Sequence, residues 1–360
     1  MSSLASAPFG VYVHIPFCRS KCDYCAFATW TDRHHLSAPY LDAVTAEIRR
    51  AVEAGMPAAT SIFVGGGTPS MVDPAHLMSV LAAIPTVDGG AGVEVTIESN
   101  PDDITPALLD TYLAGSVNRI SLGVQSAVPH VLASLGRTHT RANVDRSVAA
   151  IRDAGFTSFN IDLIYGAAGE SLDDWAETVR TVVALEPPHV SAYAPTIEAG
   201  TPLAADTARH PDDDDQADKY ELVDELLSAA GLRNYEISNW AAPGHECRHN
   251  LLYWRQHDYR GFGCAAHSHD AGRRWWNVRT PDRYIELVEQ GSSTEAAGET
   301  LDAATRRFER LELQLRMRDG VPLDVLDGDL LPGLVERHHD RWTLTRSGRL
   351  MANEISLRLK

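Results

Sequence analysis

A chain of 360 residues, 44% hydrophobic and 22% charged, has the composition of an ordinary globular protein and is long enough for one large domain plus a smaller one. Its formal net charge of −17 argues against nonspecific binding of DNA, RNA or anionic lipid, while leaving room for a small basic pocket. No apolar run approaches the ~20 residues that span a bilayer and the N-terminus lacks a signal-peptide pattern, so a cytoplasmic protein that does not span the membrane is expected.

In chain order, short apolar runs rich in β-branched residues fall at Val11–Ile15, Ser61–Val64, Val93–Glu98, Asn118–Leu122, Phe159–Ile164 and His189–Tyr193. Helical spacing recurs between them, at Tyr40–Glu53, Ala75–Ile84, Pro106–Ala114, Ala142–Ala154 and Leu172–Leu185. Six strands alternating with helices predict a parallel α/β fold, an open sheet or a partial (β/α)6 TIM-like barrel, with functional residues at the C-terminal strand ends. The acidic tract Pro211–Asp215 ahead of the periodic Tyr220–Ala230 reads as a solvated helix N-terminus. After Gly231 the alternation stops, and Trp240–Tyr259, rich in His, Trp and Tyr, reads as an irregular, ligand-capable stretch. From Leu301 onward helical periodicity, then Trp342–Thr345 and Leu350–Leu357, predict a smaller, mostly helical, winged-helix-like domain. Residues 1–240 are accordingly assigned to the barrel and 241–360 to the C-terminal domain, which at this acidity suits packing or partner binding better than DNA. His338–His339 reads as a solvated turn.

Five cysteines, three of them within eight positions, do not form a disulfide framework and point to metal binding or catalysis. Cys18, Cys22 and Cys25 follow the first strand on one loop, and three thiolates so placed can wrap three irons of a cubane, leaving the fourth iron open. An open position suits a reactive metal site; structural zinc, the alternative, wants a fourth Cys or His, for which only His14 is near, in a strand run. Glycines at Gly65-Gly66-Gly67, after the second strand, let backbone amides approach a ligand closely, although a plain tight turn also explains such a run.

The Cys-x3-Cys-x2-Cys spacing resembles the signature of the radical S-adenosylmethionine (SAM) superfamily. Tyr12-Val-His-Ile-Pro-Phe-Cys18, Gly65-Gly-Gly-Thr-Pro69, Ser121-Leu-Gly-Val-Gln125, Leu135-Gly-Arg137 and Asn160-Ile-Asp-Leu-Ile-Tyr-Gly166 resemble oxygen-independent coproporphyrinogen III oxidase and its relatives. That resemblance implies a partial (β/α)6 barrel, a [4Fe–4S] cluster on Cys18, Cys22 and Cys25, and SAM chelating the open iron. It implies one SAM near Tyr12, Gly66 and Glu98, and a second SAM position near Tyr24, Gly67, Thr68, Gln125, Arg137 and Asp162.

The oxidase carries a further cysteine where this chain has Phe27, and Phe there resembles haem chaperones of the HemW type. His249-Asn250-Leu251-Leu252-Tyr253-Trp254 matches the His-Asn-x-x-Tyr-Trp motif associated with haem in those chaperones. The resemblance implies haem binding, with His249 as axial ligand, Cys247 as its competitor, and Tyr253 and Trp254 packed on the porphyrin. Cys264 and His267 admit a second metal site, but a tight loop against the barrel mouth explains them better. Haem delivery to acceptors such as respiratory enzymes is expected, with room for transient contact with membrane proteins and for a homodimer, and no nucleic-acid partner. The rival functions are decarboxylation of coproporphyrinogen III propionates and radical-SAM chemistry on an unrelated substrate.

Overall fold

A computed structural model describes residues 7–90 and 92–360. The six predicted strands stand in order as β1 (Phe9–Ile15), β2 (Ser61–Gly66), β3 (Glu94–Ser99), β4 (Arg119–Gln125), β5 (Ser158–Ile164) and β6 (His189–Tyr193). Each pairs in parallel with the next, with Val13 opposite Val64, Ile62 opposite Val95 and Leu122 opposite Ile161. Successive side chains of a strand point to opposite faces. Val11, Val13 and Ile15 therefore share one fully buried face of β1, while Tyr12 and His14 occupy the other. The first face joins a core with the crossover helices Ser37–Glu53, Pro74–Leu81, Pro106–Ala114, Arg141–Asp153 and Leu172–Ala184.

The helix starts are set locally. Thr140 with Asn143 and Ser171 with Asp174 form capping boxes, and Pro74 and Pro106 supply a fixed φ at the first helical turn. The acidic tract behaves as expected: Asp212 caps the helix Asp213–Ala229, and Asp213–Asp215 fill its first turn.

Loss of alternation after Gly231 marks a change of strand direction, not the end of the sheet. β7 (Arg233–Glu236) and β8 (Asn239–Ala241) extend it antiparallel beyond β6. β9 (Asp258–Phe262) lies parallel to β1 on the other side, followed outward by β10 (His267–Asp270), β11 (Arg273–Asn277) and β12 (Glu295–Thr300) in antiparallel order. Among the described residues one sheet of twelve strands results, ordered β12-β11-β10-β9-β1-β2-β3-β4-β5-β6-β8-β7. Residues 258–300 thus belong to the barrel sheet, on the far side of the 240/241 position.

The helix-and-hairpin unit begins later, with the helix Ala303–Leu315. It carries β13 (Val321–Pro322), β14 (Val335–His338) and β15 (Arg341–Leu344), paired antiparallel in the order β13-β15-β14, and the short helices Arg346–Leu350 and Ala352–Ser356. Its own core gathers Leu311, Leu315, Val321, Val325, Leu331 and Ile355. It is joined to the sheet where Arg318 N–H donates to Tyr235 O (3.0 Å), and to the helix Asp213–Ala229 where Arg346 and Arg349 grip Asp224. No helix among the described residues is long and apolar enough to cross a membrane.

Candidate cluster loop and barrel lumen

The loop after β1 is closed at its base by backbone bonds: Cys18 N–H donates to Trp30 O (3.1 Å) and Trp30 N–H to Pro16 O (2.7 Å). Within it Cys18, Cys22 and Cys25 are free, half-buried thiols, and Cys25 N–H donates to Cys22 O (3.1 Å). Thr68 donates to Cys18 Sγ (3.7 Å), and Arg137 Nη1 lies 4.0 Å from Cys22 Sγ. Burial pushes the Cys18 and Cys25 thiols up, above all other causes. No three His, Cys, Asp or Glu side chains converge on a single ion among the described residues. Structural zinc wants four protein donors, whereas a cubane takes one thiolate per iron, so three thiols on one loop suit a cluster better than zinc. His14 is not a fourth ligand: its Nε2 bonds Ala28 O (2.9 Å), its Nδ1 bonds Tyr12 OH (3.0 Å), and burial lowers its pKa to about 4. Phe27 lies on the same loop and is 65% exposed.

The residues expected to hold SAM fall at two levels. Tyr12, Glu98 and Asp162 project into the lumen and line one cavity. Gly66 ends β2 and Gly67 and Thr68 follow it, and Gly66 N–H donates to Glu98 Oε2 (3.0 Å). Gly66 has φ +108°, and a Cβ there would lie 2.3 Å from His14 Nδ1, so glycine is required for both conformation and space. Arg137 bridges strand ends, donating to Asn100 Oδ1 (2.7 Å) and Gly123 O (2.9 Å) above Cys22. Gln125 follows a register shift in the β4–β5 pair and sits at φ +67°, a bulge that re-aims the chain at the strand end. Tyr24 packs beside Cys22 and Arg137, its hydroxyl pKa raised by burial first and by Cys22 next.

Glu98 is pushed up to about 8 by burial and secondarily by the charge of Asp162. Asp162 is also raised by burial, although Ser121 Oγ (2.8 Å) and Asn160 Nδ2 (2.7 Å) donate to it. Neither carboxyl forms an ion pair among the described residues. Two acids of this kind beside glycine amides suit a ligand that carries an ammonium group and hydroxyls, as SAM does.

The opposite, N-terminal end of the barrel is closed by the helix Arg248–Trp254, not by irregular chain as the sequence implied. Glu94, at the start of β3, caps it by accepting from Arg248 N (3.1 Å) and His249 N (3.0 Å). His249 is 1% exposed and stacks on Phe63 with ring centroids 5.5 Å apart. Its Nδ1 bonds Ser61 Oγ (2.9 Å) and its Nε2 bonds Tyr253 OH (2.8 Å). Burial takes its pKa to about 3. Both ring nitrogens are engaged inside the barrel, so the axial-ligand role that the motif implies requires Ser61 Oγ or Tyr253 OH to give way. Its competitor Cys247 is buried as well, 3.5 Å from Glu94 Oε1, with its thiol pushed up to about 12. Tyr253 lines the lumen; Trp254, half-buried at the end of the helix, does not.

The lumen between these two ends is about 150 Å³. Sequence reasoning missed its buried base. Arg119, at the start of β4, is 2% exposed, and its Nε and Nη2 find no hydrogen-bond partner among the described residues. His189 bonds Asn160 Oδ1 (2.7 Å) and Tyr235 OH (2.9 Å). These pairs are far apart in sequence and carry no local signal. Cys264 and His267 do not make a site: Cys264 is fully buried against Tyr40 OH (3.6 Å), while His267 is exposed and stacks on Trp276.

A sequence profile of the Radical SAM superfamily matches residues 12–182. The chain is 40% identical to the heme chaperone HemW of Mycobacterium tuberculosis (strain ATCC 25618 / H37Rv), covering 99% of this chain and 95% of that protein. The chain belongs to the HemW family of heme chaperones. HemW of Escherichia coli (strain K12) is 34% identical, over 97% of each chain, and HemW of Bacillus subtilis (strain 168) is 32% identical, over 96% of this chain and 97% of its own. Among solved structures, coproporphyrinogen III oxidase of Escherichia coli superposes with a TM-score of 0.84 at 24% identity, over 98% of this chain and 89% of that one. That likeness shows the radical-SAM fold. The HemW relationship extends through the helix Arg248–Trp254 and the C-terminal unit, well beyond the profile match.

Proposed function

We propose that this chain takes up haem and delivers it to haem-requiring acceptors such as respiratory enzymes in the cytoplasm, with a [4Fe–4S] cluster and SAM as resident groups. The observation that carries the reading is the 40% identity to a HemW protein over 99% of the chain. The cluster is assigned to Cys18, Cys22 and Cys25, with Thr68 and Arg137 directing N–H and O–H groups toward two of the sulfurs. SAM is assigned to Tyr12, Gly66 and Glu98 in the lumen, with Tyr24, Gly67, Thr68, Gln125, Arg137 and Asp162 forming the second position. When bound, the cluster supplies an electron that can open the SAM sulfonium. Glu98 and Asp162 hold the ammonium and hydroxyl groups, Arg137 fixes the loop against β3 and β4, and the helix Arg248–Trp254 closes the lumen from below. The decarboxylase reading is weaker because Phe27 replaces the oxidase cysteine.

The test is haem transfer. Full-length, cluster-reconstituted protein is loaded with haem, mixed with an apo haem protein, and the acceptor's absorbance is followed. Faster filling than from free haem supports the reading; equal rates overturn it.

A further inference from the structure

The floor of the lumen carries a guanidinium with no anion bonded to it. Arg119 opens β4, is 2% exposed and lines the cavity, yet its Nε and Nη2 have no hydrogen-bond partner and it makes no ion pair among the described residues. Burial works against its charge, but Cys247, Glu94, Tyr235 and Asp162 together outweigh burial and keep it protonated. The two acids among them spend their oxygens on other donors. Glu94 accepts from Arg248 N and His249 N, and Asp162 from Ser121 Oγ and Asn160 Nδ2. A second buried group nearby is also unmatched: Thr96, paired in register with Arg119 across β3 and β4, has an Oγ1 with no partner. By strand alternation it shares the face of β3 that carries Glu98 into the lumen. Buried polar groups of this kind are costly unless a ligand replaces the water they have lost.

The surroundings narrow the ligand. One guanidinium beside two acids suits a single negative charge better than a phosphate, and its planar fork matches a carboxylate. His189 beside it is neutral, its pKa driven well down by burial and then by Arg119, so it adds no second cation. On the β1–β2 side Tyr12 and Phe63 stack with centroids 6.4 Å apart and give the cavity an apolar wall. A carboxylate on a short apolar stem satisfies both features. The carboxylate of SAM is not that anion: the cluster loop follows the C-terminal end of β1, whereas Arg119 starts β4, at the opposite end of a parallel set of strands.

We propose that the lumen floor is a carboxylate-binding site, with Arg119 as its cation and Thr96 as a hydroxyl donor. Its carboxylate comes either from a free short-chain acid or from the propionate arm of a tetrapyrrole. The site stands on Arg119 and Thr96, and only the second source rests on the haem-delivery reading.

Full-length, cluster-reconstituted protein is titrated by calorimetry with propionate and with propionamide, which keeps the shape and lacks the charge. Parallel samples are titrated by absorbance with haem and with haem dimethyl ester. Arg119→Met should weaken carboxylate binding by about tenfold or more and Thr96→Val by about fivefold, with propionamide bound by neither variant nor wild type. Without ligand, Arg119→Met should keep or raise the wild-type thermal midpoint, because it removes a buried charge that has no ion pair. Weakened propionate binding with unchanged haem binding assigns the site to a free acid; weakened haem binding with unchanged ester binding assigns it to the propionate arm. Wild-type affinity for both propionate and haem in the two variants would overturn the site and leave the haem-delivery reading intact. A lowered midpoint or a failure to fold in Arg119→Met would make Arg119 a structural cation for Glu94 and Asp162, and would also overturn it.

Discussion

Glu98 gives the lumen a titration that stability measurements can read. Its carboxyl stands at about 8 against 4.5 for a free side chain, raised by burial first and by Asp162 second. As pH rises, the unfolded chain releases this proton near its ordinary value, while the folded chain keeps it until about 8. Between those values the folded state holds more protons, so stability falls with rising pH across the window and levels off above it. At about 1.4 kcal/mol per pH unit the full loss is roughly 4–5 kcal/mol, an upper bound because Glu98 keeps partial contact with the lumen. Glu98→Gln preserves an acceptor for Gly66 N–H and removes the ionisation. Urea unfolding of SAM-free protein at about pH 5 and about pH 8.5 should show the variant gaining about 2–4 kcal/mol on the wild type between the two conditions. A stability difference that stays constant across that range would refute the reasoning, because Glu98 would then be ionised in the folded chain throughout.

Gly66→Ala should destabilise by about 2–4 kcal/mol, combining strain at φ +108° with displacement of the buried His14 ring; an unchanged thermal midpoint would contradict this. Cys18→Ala, Cys22→Ala and Cys25→Ala should each lose the cluster by iron and sulfide analysis with far-UV circular dichroism unchanged, and a full cluster in any of them would reassign the ligands. His249→Ala leaves Ser61 and Tyr253 oxygens without their buried partner and should cost about 2–4 kcal/mol while sparing the cluster. Haem affinity of the folded protein should fall, and an unchanged affinity would move the axial ligand elsewhere.

The barrel was legible because its signals are local. Parallel strands buried on both faces read as continuous apolar runs, and capping boxes at Thr140 and Ser171 mark helix starts within one residue of the periodic stretches. The site residues at strand ends were legible as motifs. The outer sheet was not: β12 is fully exposed along its length, so its sequence carries no burial pattern, and only pairing with β11 makes it a strand. The helix Arg248–Trp254 was read as irregular chain because it is only two turns long and is capped by Glu94 from 154 residues away. A separation of 188 residues likewise hid the occupation of His249, whose partner Ser61 lies on another element. Of His338–His339, read as a turn, His339 lies in the turn while His338 ends β14, and nothing in their neighbourhood signals the arginines that tertiary structure brings to them.

The central claim is that a radical-SAM barrel here serves haem delivery, and one paired anaerobic experiment tests it most directly. Cluster-reconstituted protein is titrated with haem by absorbance, and a parallel sample receives coproporphyrinogen III, SAM and reductant, with products read by mass spectrometry. Tight haem binding with no decarboxylated tetrapyrrole is the predicted result. Decarboxylation over many turnovers, with no stable haem complex, would contradict it and make the chain an oxidase despite Phe27.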